Sequence, residues 1–110
     1  MGHPKFIVKE TASGNYRFNL TAKNGQVILS SQNYSAKASC LNGVESVRKN
    51  SQEEGRFEVL EAKNGEHYFN LKASNGQIIG TSETYKSMAS CNNGMKSVAT
   101  NAPGAELSEE

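Results

Sequence analysis

The stretch that decides the fold is residues 18–31, which read Phe18-Asn19-Leu20-Thr21-Ala22-Lys23-Asn24-Gly25-Gln26-Val27-Ile28-Leu29-Ser30-Ser31. It returns 51 residues later as Phe69-Asn70-Leu71-Lys72-Ala73-Ser74-Asn75-Gly76-Gln77-Ile78-Ile79-Gly80-Thr81-Ser82. In each copy an Asn-Gly pair separates two strand-like runs, which is the strongest short-range signal for a β-hairpin. We expect a two-residue type I′ turn there, because glycine adopts positive φ freely and asparagine tolerates it.

The whole chain follows this repeat. The offset of 51 residues holds without a gap from Phe6/Phe57 to Asn50/Asn101, and roughly half of the paired residues are identical. Two copies cannot close a propeller, so two small units that share one core are the better interpretation. The expected organisation is a single domain over residues 1–110, with repeat one at about 5–50, a connector at 51–55, repeat two at about 56–101 and an acidic tail at 102–110.

Each repeat is predicted to begin with three antiparallel strands. Residues 5–10 and 16–23 alternate with period two, and a two-residue turn at Asn24-Gly25 then fixes the register of the next strand. The expected strands of the second repeat are 56–61, 66–73 and 77–82, with a short strand near 106–108 in the tail. The expected cross-strand pairs are Leu20–Leu29 and Ala22–Val27 on the core face, and Asn19–Ser30 and Asn70–Thr81 on the reverse face.

After Ser31 the hydrophobic period changes to that of a helix. The helix of repeat one is expected to end near Asn50, and that of repeat two to span about 85–101. Asn33 or Ser35 is a candidate N-cap of the first helix, and Thr84 or Ser87 of the second. The predicted buried stripe of the first helix is Ala36, Cys40, Gly43, Val44 and Val47.

Gly43 and Gly94 stand in the middle of these helices, where glycine costs about 1 kcal/mol relative to alanine. The favoured explanation is that the helix passes a strand or its twin helix too closely for a side chain. A helix broken at Asn42-Gly43, and a ligand that approaches bare backbone, remain as alternatives.

A lone three-stranded unit would leave a long unpaired edge. Joining two units edge to edge removes one edge from each and lets both helices cover the same face. The predicted fold is therefore α+β, with two tandem β-β-β-α repeats sharing one antiparallel sheet, both helices on one face and a pseudo-twofold axis between the repeats. The expected core is Phe6, Val8, Phe18, Leu20, Val27, Leu29, Val44 and Val47 with their counterparts in repeat two.

The motifs of the two copies resemble those of the YegP-like family of small uncharacterised bacterial proteins. They are F-x-V, then F-N-L-x-A-x-N-G-Q-x-I, then S-x-x-Y, then A-S-C-x-N-G-x-x-S-V, and they run from Phe6 to about Asn101. The resemblance implies a tandem repeat of three strands and a helix, assembled as one sheet with a strand exchanged between the halves. It implies no activity, because the family is known by its shape.

The composition excludes several classes of site. Net charge is +1, which gives no strong attraction to nucleic acid or to acidic membranes. No apolar run is long enough to span a bilayer, so a cytoplasmic protein that does not act at a membrane is expected. All 11 acidic residues are glutamate. Without aspartate the common calcium loops, magnesium sites and catalytic triads are not available, so no metal, no cofactor and no catalytic residue is predicted.

Two pairs of equivalent residues have chemistry to offer. Cys40 and Cys91 lie on the apolar stripes of the two helices, and we expect both thiols to be reduced and buried. A disulfide would require Cα atoms within about 7 Å, and whether they lie that close is left open. Tyr34 and Tyr85 precede the helices and are expected to close the end of the core, with a paired ligand-stacking role as the alternative.

The reverse face of the sheet is the predicted binding surface. Asparagine is depleted in strands, yet it recurs at equivalent positions here. The leading hypothesis is a monomeric, non-enzymatic module that binds an unknown protein or small-molecule partner through this face or through the sheet edges. Alternatives are a module that binds single-stranded nucleic acid on the sheet, and an enzyme that uses glutamate and His67. The predicted partner-binding residues are Arg17, Asn19, Tyr68, Asn70 and Lys72.

Overall fold

The chain forms three strands, a helix, three strands, a second helix and a last strand, in a computed structural model that describes residues 3–109. Residues 1, 2 and 110, which the expected domain includes, lie outside the described residues. A short 3₁₀ turn at Glu54–Arg56 joins the repeats. The elements are β1 (Lys5–Glu10), β2 (Tyr16–Thr21), β3 (Val27–Ser30), α1 (Lys37–Asn50), β4 (Phe57–Glu61), β5 (His67–Lys72), β6 (Ile78–Thr81), α2 (Met88–Asn101) and β7 (Glu106–Glu109).

All seven strands belong to one sheet in the order β4-β5-β6-β3-β2-β1-β7. The α+β class and the single sheet are thus as predicted, but the sheet is mixed. β7 pairs parallel to β1, from Lys5↔Glu106 to Val8↔Glu109. The expectation of a purely antiparallel sheet is therefore wrong, because the chain returns from α2 beside β1 and runs in the same direction as that strand.

The hairpin loops differ from the predicted type I′ turns. Gly25 has φ of 85°, but no residue other than glycine has positive φ within residues 3–109, so Asn24 is not in the left-handed region. The amide of Gly25 donates to the carbonyl of Ala22, and the amide of Ala22 donates to that of Gln26. This is a three-residue loop in which a type I turn is followed by a left-handed glycine.

The longer loop is compensated within the next two residues. Thr21 pairs with Val27, Leu20 pairs with Leu29, and the register shifts between them, which leaves Ile28 as an extra residue. A β-bulge of this kind restores the register that the two-residue turn would have given. The predicted pairs Leu20–Leu29, Asn19–Ser30 and Asn70–Thr81 are therefore confirmed, whereas Ala22–Val27 is wrong.

The bulge also changes which side chains are buried. Ile28 and Ile79 are only 8% and 7% exposed, whereas Ile78 is 36% exposed and Val27 is half-buried. The expectation that Val27 and its counterpart belong to the core is therefore wrong. The remaining core is shared, since one cluster contains residues of both helices and both sets of strands. Each apolar side chain fully buried there contributes roughly 1.5–3 kcal/mol.

The helix caps differ between the repeats. Ser87 caps α2 by accepting a hydrogen bond from the Ser90 amide at 3.1 Å, as one of the predicted alternatives. The equivalent residue of α1 is Ala36, which offers no side-chain cap, so the expectation of Asn33 or Ser35 there is wrong. Both helices run unbroken through their glycines, which excludes the break at Asn42-Gly43.

The repeats meet where β3 pairs with β6 at Ser30↔Thr81. Leu29 and Gly80 are equivalent in the two copies, and at this junction the leucine side chain lies over the glycine. A Cβ atom on Gly80 would be 2.6 Å from Cδ2 and 2.7 Å from Cγ of Leu29, which is closer than such atoms pack. The space at the junction therefore holds one leucine side chain, and a second leucine at the equivalent position would not fit.

This contact predicts a strong coupling between the two positions. Gly80→Leu should destabilise the protein by overpacking, about 1–3 kcal/mol, and Leu29→Gly should destabilise it by leaving a cavity, about 2–5 kcal/mol. The exchange Leu29→Gly/Gly80→Leu should cost clearly less than the two single changes together. Urea unfolding measures all three variants, and additivity within about 0.5 kcal/mol would contradict the contact.

The shared core further predicts that neither repeat folds alone. α1 packs against β5 and β6 of the other repeat as well as against β1 and β2. Fragments that end at Asn50 or start at Glu54 should be unfolded or should dimerise, as measured by circular dichroism and sedimentation. A monomeric fragment with a cooperative thermal transition would show that the core is not shared.

Candidate functional site

Polar residues form a row across five strands of the sheet. Glu58 pairs with Asn70, Asn70 with Thr81, Thr81 with Ser30, and Ser30 with Asn19. Because directly paired residues lie side by side on one face, these five side chains form a continuous line, which we call the polar row. The sheet thus brings Asn19 and Asn70, 51 residues apart in the sequence, onto a common line.

The two asparagines of the polar row differ in their hydrogen bonds. Thr81 donates its hydroxyl to Oδ1 of Asn70 at 2.8 Å. The equivalent Oδ1 of Asn19 is buried and has no hydrogen-bond partner among the described residues, and Ser30 takes the place of the threonine. A buried carbonyl oxygen without a donor is unfavourable by about 1–3 kcal/mol. This oxygen is the one member of the row that lacks its expected partner.

The predicted partner-binding residues take different places around the row. Arg17 is exposed, Asn19, Tyr68 and Lys72 are half-buried, and Asn70 is buried. β2 and β5 run antiparallel, so Arg17 and Lys72 lie on one side of the row and Tyr68 on the other. Lys72 forms an ion pair with Glu58 at 2.9 Å. The face therefore has a cationic side and an aromatic side.

The centre of this face is less open than the sequence indicates. Thr21 is only 5% exposed and its hydroxyl donates to the backbone carbonyl of Lys5 at 3.4 Å. Simple alternation along the third strand of each repeat would place Ile28 and Ile79 on this face, but both belong to the buried core cluster. The accessible part is therefore its margin, where Arg17, Tyr68 and Lys72 lie.

Both cysteines are fully buried free thiols. Burial raises the pKa of Cys40 and likewise the pKa of Cys91, because a thiolate loses its hydration in an apolar environment. The prediction that both cysteines lie in the core is thus confirmed, and neither forms a disulfide within residues 3–109.

Tyr34 and Tyr85 explain the two helical glycines. The ring of Tyr34 stacks on that of Phe18, with 6.3 Å between the centroids. A Cβ atom on Gly43 would be only 2.5 Å from the Tyr34 hydroxyl oxygen, which is too close. Tyr85, Phe69 and Gly94 repeat this arrangement. The close approach is therefore first to a tyrosine and next to a phenylalanine of the adjacent strand, as the 3.0 Å distance from Phe18 shows, and the nearest atoms do not belong to the twin helix. Burial, and to a smaller degree the adjacent cysteine, raises the pKa of each tyrosine.

His67 is half-buried, and its amide and carbonyl pair with Tyr85. From residue 3 to residue 109 no three His, Cys, Asp or Glu side chains are grouped closely enough to hold a metal ion. In the same range neither helix is long and apolar enough to cross a membrane.

A groove beside β4 is the surface that the sequence analysis missed. It has a volume of about 700 Å³ and lies between the connector, β4 and α2, with Phe57, Val59 and Met95 as its apolar lining. The sequence contains a signal for it, because Ala99 and Asn92 of α2 stand where α1 has Arg48 and Leu41. The smaller side chains leave a space that the first repeat fills.

Comparison with known proteins identifies relatives along the whole chain. A family model described as a domain of unknown function, DUF1508, matches residues 12–58 and again residues 62–109. A UPF0339 protein of Pseudomonas aeruginosa is 51% identical over 106 residues, which cover 96% of each chain. The UPF0339 protein YegP of Yersinia pestis is 46% identical over 92% of this chain and 88% of its own.

Two solved structures share the fold. The solution structure of YegP from E. coli, described as a protein of unknown function, superposes with a TM-score of 0.93 at 39% identity, covering 100% of this chain and 95% of that one. A UPF0339 protein of Shewanella oneidensis gives a TM-score of 0.91 at 42% identity, covering 96% of this chain and 90% of that one. The resemblance to the YegP-like family is thus confirmed.

The buried thiols give a prediction with two readouts. Ellman's reagent should label Cys40 and Cys91 slowly in the native protein and rapidly in denaturant. The free energy of unfolding should stay level up to about pH 8.5 and fall above it, because unfolded thiols ionise there while the folded ones, with raised pKa, remain protonated. Cys40→Ala/Cys91→Ala should show a shallower fall, and rapid labelling of either native thiol would contradict the burial.

Proposed function

This chain belongs to the DUF1508 family, and we propose that it is a non-enzymatic binding module that holds a protein or small-molecule partner on the margin of its polar sheet face. The family description assigns no activity, so the proposal rests on the site itself. The observation that carries it is Oδ1 of Asn19, which is buried without a donor while the equivalent oxygen of Asn70 has one.

Asn19 as a residue is half-buried, so rotation of its amide would bring this oxygen to the surface, where a hydrogen-bond donor of the partner would complete the row. Arg17, two residues away on the same strand, is exposed and would pair with an acidic or carbonyl group of that partner. Tyr68 offers an aromatic edge on the far side of the row. The partner is therefore expected to carry a donor flanked by an acceptor.

The proposed module has internal symmetry. We infer a pseudo-twofold axis at the β3–β6 junction, with both helices on one face of the sheet. The equivalent triads Phe18–Tyr34–Gly43 and Phe69–Tyr85–Gly94 support it. The two matched segments begin after β1 and after β4, and in that phasing β4 and β7 each lie with strands of the other repeat. This is the sense in which a strand is exchanged.

The proposed module acts as a monomer in the cytoplasm, without cofactor or membrane, and we do not assign it a reaction. The absence of aspartate from the chain supports the last point, because it removes the residue on which many triads and metal sites depend. An enzyme that used His67 with a glutamate would need a carboxylate beside the imidazole. No ion pair or hydrogen bond joins the His67 side chain to a glutamate within residues 3–109.

Single-stranded nucleic acid is the second candidate partner for this face. Modules of that kind stack bases on aromatic side chains and track the phosphates with cations. Within residues 3–109 the polar row has one aromatic side chain beside it, Tyr68, and the charge of Lys72 is paired with Glu58. Electrophoresis with single-stranded oligonucleotides at low salt tests this candidate, and a shift at micromolar protein would favour it over the protein or small-molecule partner.

The two asparagines provide a matched pair of variants for the proposal. Asn19→Thr removes a buried oxygen without a donor and improves strand propensity, so the melting temperature should hold or rise. Asn70→Thr removes the acceptor of the Thr81 hydroxyl, so it should cost about 1 kcal/mol of stability. Asn19→Thr should nevertheless lose the partner that the native protein captures from its own cell lysate.

Comparing the two variants distinguishes a binding role of Asn19 from a structural role. Loss of capture by Asn19→Thr with retained stability supports a binding role for Asn19. Unchanged capture by Asn19→Thr would show that the polar face is not the site. A large loss of stability in the same variant would mark Asn19 as part of the scaffold.

A further inference from the structure

β1 and β4 are equivalent strands with different surroundings. Phe6 and Val8 of β1 are 0% and 2% exposed. Their counterparts on β4 are less covered, since Phe57 is half-buried and Val59 is 38% exposed. The same two apolar side chains are thus buried in one repeat and accessible in the other.

Two elements cover β1. β7 pairs along it in parallel, and the amide of Glu106 donates to the carbonyl of Pro4 at 3.0 Å. The guanidinium of Arg48 lies 5.2 Å from the centre of the Phe6 ring and donates to the carbonyl of Pro103 at 3.2 Å. A strand on the edge and an arginine over the ring together bury what β4 leaves accessible.

β4 has backbone groups available for the same pairing. It ends the sheet order among residues 3–109. The amide of His67 and the carbonyl of Phe69 bond away from β4, so Tyr68 and Asn70 are the residues that bond toward it. The backbone groups of their partners Leu60 and Glu58 consequently point toward β5. Those of Phe57, Val59 and Glu61 point away from the sheet, to solvent.

The groove beside β4 is the counterpart of the space that Arg48 fills. Ala99 stands at the position of Arg48, and the amide group of Gln52 donates to the Ala99 carbonyl at 2.9 Å, as Arg48 bonds to Pro103 on the other side. No cation covers Phe57 among the described contacts, and Phe57 is part of the lining of the groove. β4 and its groove therefore correspond to the site on β1 that a strand and an arginine occupy, but neither is present at β4.

The charges around β4 favour a cationic occupant. Residues 52–66 contain five glutamates against one arginine and one lysine, and one of these glutamates, Glu58, is paired with Lys72. Glu54 lines the groove, with Lys96 of α2 as the charge of opposite sign. A second copy of this chain that paired through the same edge would bring its glutamates against these, which opposes self-association.

We propose that the free edge of β4 and its groove bind an extended basic segment of a partner protein, parallel to β4, with one arginine side chain over the Phe57 ring. The backbone of the segment supplies the pairing, in the manner of strand addition to a sheet edge. The arginine supplies the selectivity, by stacking on the aromatic face and by its charge near Glu54. The site shares β4 with the end of the polar row, but Glu58 of that row lies on the opposite face of the sheet from Phe57 and Val59.

The probe for this site is a fluorescein-labelled peptide of seven residues that alternates arginine and valine. Fluorescence anisotropy should show binding that weakens with added salt. A peptide with glutamate in place of arginine should not bind, and one with a central proline should bind weakly because it lacks an amide for pairing. Amide shift changes in NMR spectra should centre on Phe57 and Val59, not on Phe6 and Val8.

Ala99→Arg is the sharpest variant, because it gives α2 the residue that α1 already has. Its own guanidinium should cover Phe57 and weaken peptide binding about tenfold, while the melting temperature holds or rises. Val59→Pro removes an amide that faces solvent and should reduce binding with little loss of stability. The matched control is Glu10→Gln on β1, a position equivalent to Glu61 and distant from the groove, which should bind as the native protein does.

The direction of the peptide gives an independent check. A spin label at its N-terminus should broaden the amide signals at the Phe57 end of β4, because parallel pairing aligns the two N-termini. Broadening at the Glu61 end would overturn the parallel arrangement. The proposal as a whole fails if the arginine peptide does not bind at millimolar concentration, if Ala99→Arg leaves its affinity unchanged, or if sedimentation shows that a second copy occupies the edge. None of these results depends on Asn19.

Discussion

The architecture depends on the junction at which the two repeats share one core. β3 and β6 pair through Ser30 and Thr81, and beside that pair the side chain of Leu29 lies over Gly80. These two positions are equivalent, so a perfect repeat would bring two copies of one side chain into a space that holds one. Because interiors are packed as densely as crystals, that conflict has no low-energy solution. A leucine on one side and a glycine on the other resolves it.

The same reasoning explains where else the repeats differ. Residues that serve each repeat separately are conserved between the copies, such as the tyrosine that stacks on a phenylalanine and lies over a helical glycine. Residues whose surroundings differ between the two repeats are not conserved between the copies. Arg48 covers Phe6 beside β7, whereas Ala99 stands beside an open groove. The differences between the copies therefore mark the places where the environment is not symmetric.

Much of the fold was predictable because local patterns and the repeat agree with each other. Alternation and the Asn-Gly hairpins gave six strands and the Leu20–Leu29 register, and the change of period gave both helices. The turn type was not predictable, since a three-residue loop with a bulge at Ile28 produces the same outer register as a two-residue turn. The parallel β7 and the partner of Gly43 depend on long-range packing, which spacing in the sequence does not encode. Two pairs of the polar row, Asn19–Ser30 and Asn70–Thr81, were predictable, whereas the link through Ser30 and Thr81 and the unpartnered oxygen of Asn19 were not.

The unpaired edge of β4 has an ordinary explanation that must be weighed against a binding role. Edge strands in natural sheets are guarded by charge, and glutamates along β4 oppose pairing with another copy. Charge alone would protect this edge, so protection does not explain the groove. It also does not explain why Phe57 is accessible beside Val59, which is 38% exposed. In the first repeat the same two positions are buried by a strand and an arginine of this very chain. The β4 edge repels a second copy of this chain, yet it keeps the apolar surface that an added strand would cover. A basic partner explains both properties, whereas protection against aggregation explains only the first.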